Sequence, residues 1–258
     1  MSLEVFGAAS GLDSSAGAFE PMRPVHDGSL ITSPLDSTAP FPKVSKTIIV
    51  STVQDEAGPA IYGQNPDPVP ESQWPGMVDA TLGEPRTSVI INSTFYEMPK
   101  LNATAAAAFD ARTQLQTLGT DQIWRCASWS FARNWAASGG KVFVGHYTVG
   151  ATYPDNEGVD FCTQQGSVCH EDDIQIVFGT VSSPSTAQKN LIAEIQARYK
   201  SFLSAGVPNA SGYAYWPAVS GGNVEAINLG SSGTAAIAAC EVSFWGQEVP
   251  FDYQVFGQ

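Results

Sequence analysis

Residues 158–179 read GVDFCTQQGSVCHEDDIQIVFG, and this stretch constrains the chain more than any other. It holds two of the four cysteines, Cys162 and Cys169, with His170 directly behind the second. Glu171, Asp172 and Asp173 follow, then the apolar run Ile174, Ile176, Val177 and Phe178 before Gly179. The pattern predicts a loop that delivers a histidine immediately ahead of a helix, with six residues between two cysteines that can anchor it. An imidazole held in this way suits general-base chemistry, because a proton-transfer group must be aimed before it is useful. A zinc site is the competing reading of a Cys–His cluster, but the spacing fits no zinc ligand set and no second Cys–His pair accompanies it. Four cysteines permit three pairings, and the residues alone leave them open.

An imidazole base needs a carboxylate, and the chain offers one well upstream. Lys46–Val53, KTIIVSTV, is a β-branched run of strand length and reads as a buried strand of a parallel sheet. Its carboxyl end delivers Gln54, Asp55, Glu56, Ala57 and Gly58 to the edge where open α/β sheets place their chemistry. Neighbouring strand residues face opposite ways, so Asp55 and Glu56 cannot both point at the same group. The plainer reading of the pair is a solvated acidic turn. Lys141–Tyr147, KVFVGHY, is a second strand, and His146 near its end is the rival to His170. His146 reads as a histidine satisfied within the sheet. The third histidine, His26, precedes Asp27–Gly28 and reads as a turn residue.

Elsewhere the pattern predicts connecting and covering structure. Residues 1–40 read as loops and short turns. Residues 63–99, with five prolines between Pro66 and Pro85, read as surface loop and short helix outside the core. Residues 102–138 are helical in pattern, with Ile123, Trp124, Ala127, Phe131 and Trp135 on one broad face that reads as core, ended by Gly139–Gly140. Ser185–Leu203 predicts a long amphipathic helix, Val224–Leu229 a last edge strand, and Ala235–Gln247 a final helix.

Composition narrows the partners. The 258-residue chain is 43% hydrophobic, enough for a sizeable core, and its formal charge of −13 with 12 Lys and Arg argues against nucleic acid or an anionic membrane surface. No apolar stretch is long enough to span a bilayer. The first residues lack the basic and apolar regions of a signal peptide. The even set of cysteines, with sequons at Asn92, Asn102 and Asn209, nevertheless predicts a secreted, glycosylated protein.

His170 with its acidic-apolar segment ending Val177-Phe178-Gly179, together with Asp55–Glu56 at a strand end, resembles the type-B carboxylesterase, lipase and cholinesterase family of α/β-hydrolases, most of all its secreted fungal members. Asp121 five residues before Cys126 on a helix, and the stretch Phe19–Gly28, are also similar. Tyr213–Pro217 matches that family more loosely. The resemblance implies an α/β-hydrolase fold with a mostly parallel sheet and flanking helices. It implies a triad in the chain order Ser, Glu, His, with Glu56 as its acid and His170 as its base, and no cofactor or metal. It also implies that Cys126 pairs with Cys240 and Cys162 with Cys169. Family members that bind choline esters carry aromatic residues just after the acid. Here Pro59 and Ala60 stand there, so a cation–π box for quaternary ammonium is not predicted.

The nucleophile is the departure. No Gly-x-Ser-x-Gly occurs in the sequence, and its nearest approach, Asp13-Ser-Ser-Ala-Gly17, lacks the first glycine and follows no predicted strand. Residues 1–258 therefore read as the C-terminal portion of a single α/β-hydrolase domain, with the serine elbow on an N-terminal portion that is a second chain or is missing. The expected activity is hydrolysis of small-molecule or lipid carboxylic esters once that portion is present, and none from this chain alone. Without it, an unpaired parallel strand edge is expected. Two other readings stand beside this one: a non-catalytic cholinesterase-like binding or adhesion protein, and an unrelated acidic secreted binding domain.

Overall fold

The β-branched runs at 47–53 and 141–147 build the centre of the protein. In the computed structural model, which describes Ser29 and residues 43–97 and 110–256, they form strands β1 (Thr47–Val53) and β2 (Lys141–Tyr147). Each residue of β1 pairs in parallel with one of β2, from Thr47 with Lys141 to Val53 with Tyr147. A short third strand, β3 (Ile227–Leu229), joins the other side of β2, also in parallel. The order among the described residues is β1-β2-β3.

Period-two alternation then divides the core. Val142 and Val144, with Ile48 and Val50, face one layer; Phe143 and Tyr147, with Ile49 and Val53, face the other. Central β2 is buried from Val142 to Tyr147, whereas β1 is only half-buried from Thr47 to Ser51. Among the described residues, the outer edge of β1 has no strand partner.

Helices cover both faces. After β1 come α1 (Gly58–Gln64), α2 (Trp74–Leu82), α3 (Arg86–Ile91) and α4 (Arg112–Gly119). A π-helical segment, Thr120–Arg125, runs from α4 directly into α5 (Cys126–Ala137). Beyond β2 lie α6 (Ile174–Phe178), α7 (Thr186–Ala205) and, near the end, α8 (Asp252–Phe256). The long helix α7 shows why its boundaries were legible. Ser185 and Gln188 form a reciprocal capping box, and Gly206 ends the helix in the left-handed conformation at φ 71°. Leu191 and Ile195 bury one face of it against the Phe143 layer.

Four expectations need correction. The Pro-rich region 63–99 is part of the core, because Trp74, Val78 and Leu82 recur at four-residue spacing on α2 and are buried with Val69, Ile90 and Tyr96. In α5 the face turned to the core is Cys126, Trp129 and Ala132; Ile123 is 47% exposed, and Phe131 is only half-buried. Ala127 and Trp135 of the expected stripe do pack against the core; the π segment changes the angular step ahead of α5, so a stripe counted at 3.6 residues per turn puts Ile123 on the wrong face. Residues 235–247 form no α-helix. They hold one 3-10 turn, Ala238–Cys240, with Ala238 at φ 44°, and are pinned by Cys240, Phe244 and Trp245 in the core. Of the predicted strand 224–229 only Ile227–Leu229 pairs. The helix expected at Asn102–Phe109, with Asn102 itself, the Asp13–Gly17 stretch and His26, falls outside the described residues.

Candidate active site

Strand β1 ends in a turn that folds its acid back on itself. The Val53 N–H donates to Glu56 Oε1 at 2.8 Å, fixing a carboxylate that is 6% exposed. The second oxygen, Oε2, lies 2.6 Å from His170 Nδ1. Residues 114 positions apart thus meet in one short contact. The His170 side chain is 47% exposed, so one edge of the ring meets the acid while about half of the side chain stays accessible. The Glu56 hydrogen bond raises the basicity of His170, against an opposing contribution from partial burial.

The preceding carboxylate holds the same loop differently. Asp55 N–H donates to Val168 C=O at 2.8 Å, and Val168 N–H returns a bond to Asp55 Oδ2 at 2.9 Å. Gln116 Nε2 donates to Asp55 Oδ1 at 3.2 Å. Burial holds Asp55 above the usual carboxylate range, with the Val168 bond working against it. Two consecutive acids therefore divide the work: Asp55 grips the backbone two residues before the histidine, and Glu56 grips the imidazole.

Behind the ring, the loop is anchored covalently and by a buried acid. Cys162 is bonded to Cys169, a separation of seven residues, and Cys126 to Cys240. Gly58, at the start of α1, makes room for the short bridge, since a Cβ there would lie 2.9 Å from Cys169 Sγ. Asp172, 1% exposed, accepts from Cys169 N–H at 2.7 Å, Tyr153 N–H at 2.8 Å and Asn156 Nδ2 at 2.9 Å. Asn156 Nδ2 also donates to His170 C=O at 2.7 Å. Burial raises the affinity of Asp172 for a proton; its three hydrogen bonds offset this in part. Glu171, between histidine and anchor, sits at φ 71°, a conformation that only a tightly determined loop imposes on a residue with a side chain.

The π segment completes the site. Thr120 Oγ1 accepts from Ala57 N–H, next to the acid, at 3.1 Å. The Trp124 ring lies 5.4 Å from the His170 ring at 50°. The sequence pattern assigned Trp124 to the core and gave no signal for Asp172 or Asn156 as anchors, since each acts through contacts set by the fold. Asp121, Cys126 and Cys240 come together with the composition of a metal site, but the two sulfurs are bonded to each other and offer no thiolate. Asp121 instead accepts from Tyr96 O–H at 2.9 Å and pairs with Arg125 at 2.7 Å.

His146 corrects another expectation. It is 7% exposed, and its Nδ1 has no hydrogen-bond partner among the described residues, so it is not satisfied within the sheet. Burial, helped by the nearby Arg125 charge, lowers its pKa to about 4. Of the sequons, Asn92 is exposed at the end of α3. The Asn92 Nδ2 donates to Ser88 C=O at 2.7 Å, whereas the half-buried Asn209 amide bonds both the N–H and the C=O of Trp216, at 2.6 and 3.0 Å.

This arrangement has structural relatives. Two solved structures, titled thermophilic PNB esterase and PNB esterase, each match with a TM-score of 0.50 and 16% identity over 70% of this chain. The matched part is 34% and 33% of their own chains, so this chain spans about a third of their length. No curated protein matches. The likeness in structure identifies the sheet and helices as part of an α/β-hydrolase fold. The sequence profile described as the Carboxylesterase family matches residues 3–245, nearly the whole chain. The chain belongs to the carboxylesterase family.

Proposed function

We propose that this chain supplies the acid and the base of a Ser-Glu-His triad in a carboxylic-ester hydrolase. The observation that carries the reading is the 2.6 Å contact between Glu56 Oε2 and His170 Nδ1, with about half of the His170 side chain accessible. Glu56 accepts the Nδ1 proton, fixes the tautomer that leaves Nε2 as acceptor, and stabilises the imidazolium once it forms. Nε2 then takes the proton of a serine hydroxyl as that oxygen attacks the ester carbonyl, and returns it to the departing alcohol. In the second half-reaction the same nitrogen deprotonates water, which releases the acid and regenerates the serine. The raised basicity of His170 serves both transfers.

In this reading residues 1–258 are the C-terminal portion of one α/β-hydrolase domain. The serine comes from an N-terminal portion, on a second chain or as further sequence of the same protein, whose strands continue the sheet at the outer edge of β1. The family membership and the unpaired edge among the described residues support this. The substrates are small-molecule or lipid esters. Two disulfides support an extracellular setting; among the described residues no helix is long and apolar enough to cross a membrane. In a glycosylating host, Asn92, exposed with one local bond to Ser88, carries a glycan, and Asn209, half-buried with both amide atoms held by Trp216, does not; peptide mapping after deglycosylation in heavy water reads both.

The test is labelling of the assembled protein with a fluorophosphonate probe. Label is expected on a serine of the N-terminal portion and is lost in His170→Ala. Equal labelling of wild type and His170→Ala contradicts the assignment.

A further inference from the structure

The parallel register places one polar residue of each strand in the same row across the sheet. Thr52 pairs with His146, and His146 with Asn228. Residues in one cross-strand row share a face, and by alternation this is the face of Val142 and Val144, roofed by α5. Thr52 is 4% exposed and His146 7%. Thr52 Oγ1, His146 Nδ1 and Asn228 Oδ1 are all buried without a hydrogen-bond partner among the described residues. The Asn228 amide is oriented independently, because its Nδ2 donates to Ser232 C=O at 3.1 Å and leaves Oδ1 for the row. Arg125, at the end of the π segment, adds a fourth such atom, its Nε.

Buried polar groups in folded proteins are nearly always paired, and the exceptions scatter. Here three of the six such atoms among the described residues fall on adjacent strands at one register position. None of the three bonds another in the row, although donors and acceptors are both present. Arg125 Nε–H and the Thr52 hydroxyl donate, Asn228 Oδ1 accepts, and a neutral imidazole does either according to its tautomer. An anion does not fit, since Asp121 already neutralises Arg125 and Asn228 presents a carbonyl oxygen. A metal ion does not fit either, with one imidazole and no carboxylate in the row.

We propose that this row is an internal hydration site, in which ordered water bridges Thr52, His146 and Asn228 and forms a structural part of the sheet's carboxyl end. Such waters make about three bonds to otherwise unpaired buried groups. The site lies one residue before Val53, whose N–H holds the acid, so it braces the strand end on which Glu56 stands. This role is independent of the ester-hydrolase reading and gives the buried His146 a use.

The experiment is a high-resolution crystal structure of the unmodified protein, paired with the melting temperature of Thr52→Val. A water oxygen within hydrogen-bond distance of at least two of the three row atoms is expected. The near-isosteric valine is expected to melt about 2–4 °C lower, the shift for roughly one lost hydrogen bond in a chain of this size. A row filled by protein side-chain atoms, or dry, overturns the proposal, as does a Thr52→Val protein that melts at or above wild type. If the variant does not fold, the crystal structure of the unmodified protein decides alone.

Discussion

His146 and His170 are 24 positions apart and both stand at the carboxyl end of one sheet, yet they are opposite kinds of histidine. His170 has a carboxylate at 2.6 Å and an accessible ring, and its basicity is raised. His146 is enclosed, has no carboxylate or other hydrogen-bond partner among the described residues, and is driven down to about pKa 4. The difference is not proximity to the chemistry but the balance between desolvation, which removes charge from an imidazole, and a carboxylate contact, which restores it. A general base needs the second and enough access to reach a substrate.

The comparison breaks first on activity. If the proposed triad is right, Glu56→Gln in the assembled protein should lower kcat/KM for ester hydrolysis by about 10⁴-fold, the scale seen when a triad carboxylate is neutralised. His146→Gln should leave it within a few-fold, and steady-state ester hydrolysis measures both. Equal losses would erase the distinction.

Stability against pH sharpens it. The folded pKa of His146 lies below its unfolded value near 6.5, so its contribution is full above 6.5 and is lost as pH falls toward 4. The size is about 3 kcal/mol, from 1.36 kcal/mol per unit. His170 runs the other way: its folded pKa is raised, so its contribution is full below 6.5 and is lost as pH rises through the folded value. Urea unfolding midpoints between pH 4 and 8 should show the acid-side loss vanish in His146→Gln and the alkaline-side loss vanish in His170→Gln.

A third contrast concerns what holds each ring. Asp172→Ala removes the acceptor of three hydrogen bonds beneath His170 and should cost about 2–3 kcal/mol, the range for bonds to a buried charge. It should also broaden the His170 imidazole resonances while leaving those of His146 sharp. The smallest effect is expected at Trp124→Ala. Opening one side of His170 to water reduces desolvation and should raise its pKa slightly, read by NMR titration.

The parts of this molecule legible in sequence are those governed by local pattern. The strands at 47–53 and 141–147 show as β-branched runs, and α7 as a periodic helix with its own cap and stop. The meeting of Glu56 with His170 was reached through family resemblance, since a separation of 114 positions leaves no local record of the contact. Tertiary effects hid the rest. The π segment turned the apolar stripe of Ile123 and Trp124 away from the core. The Cys126–Cys240 bridge and the burial of Phe244 and Trp245 hold 235–247 outside a helix despite its alanines. The unpaired atoms of Thr52, His146 and Asn228 depend on the cross-strand register, which no single segment encodes.

The central claim is that Glu56 sets the protonation of His170. Its most direct test is the imidazole titration of His170, followed by proton–nitrogen correlation NMR in wild type and Glu56→Gln. A wild-type pKa above 6.5 that falls when the carboxylate is neutralised is the predicted result; superimposable titration curves for the two proteins would contradict it.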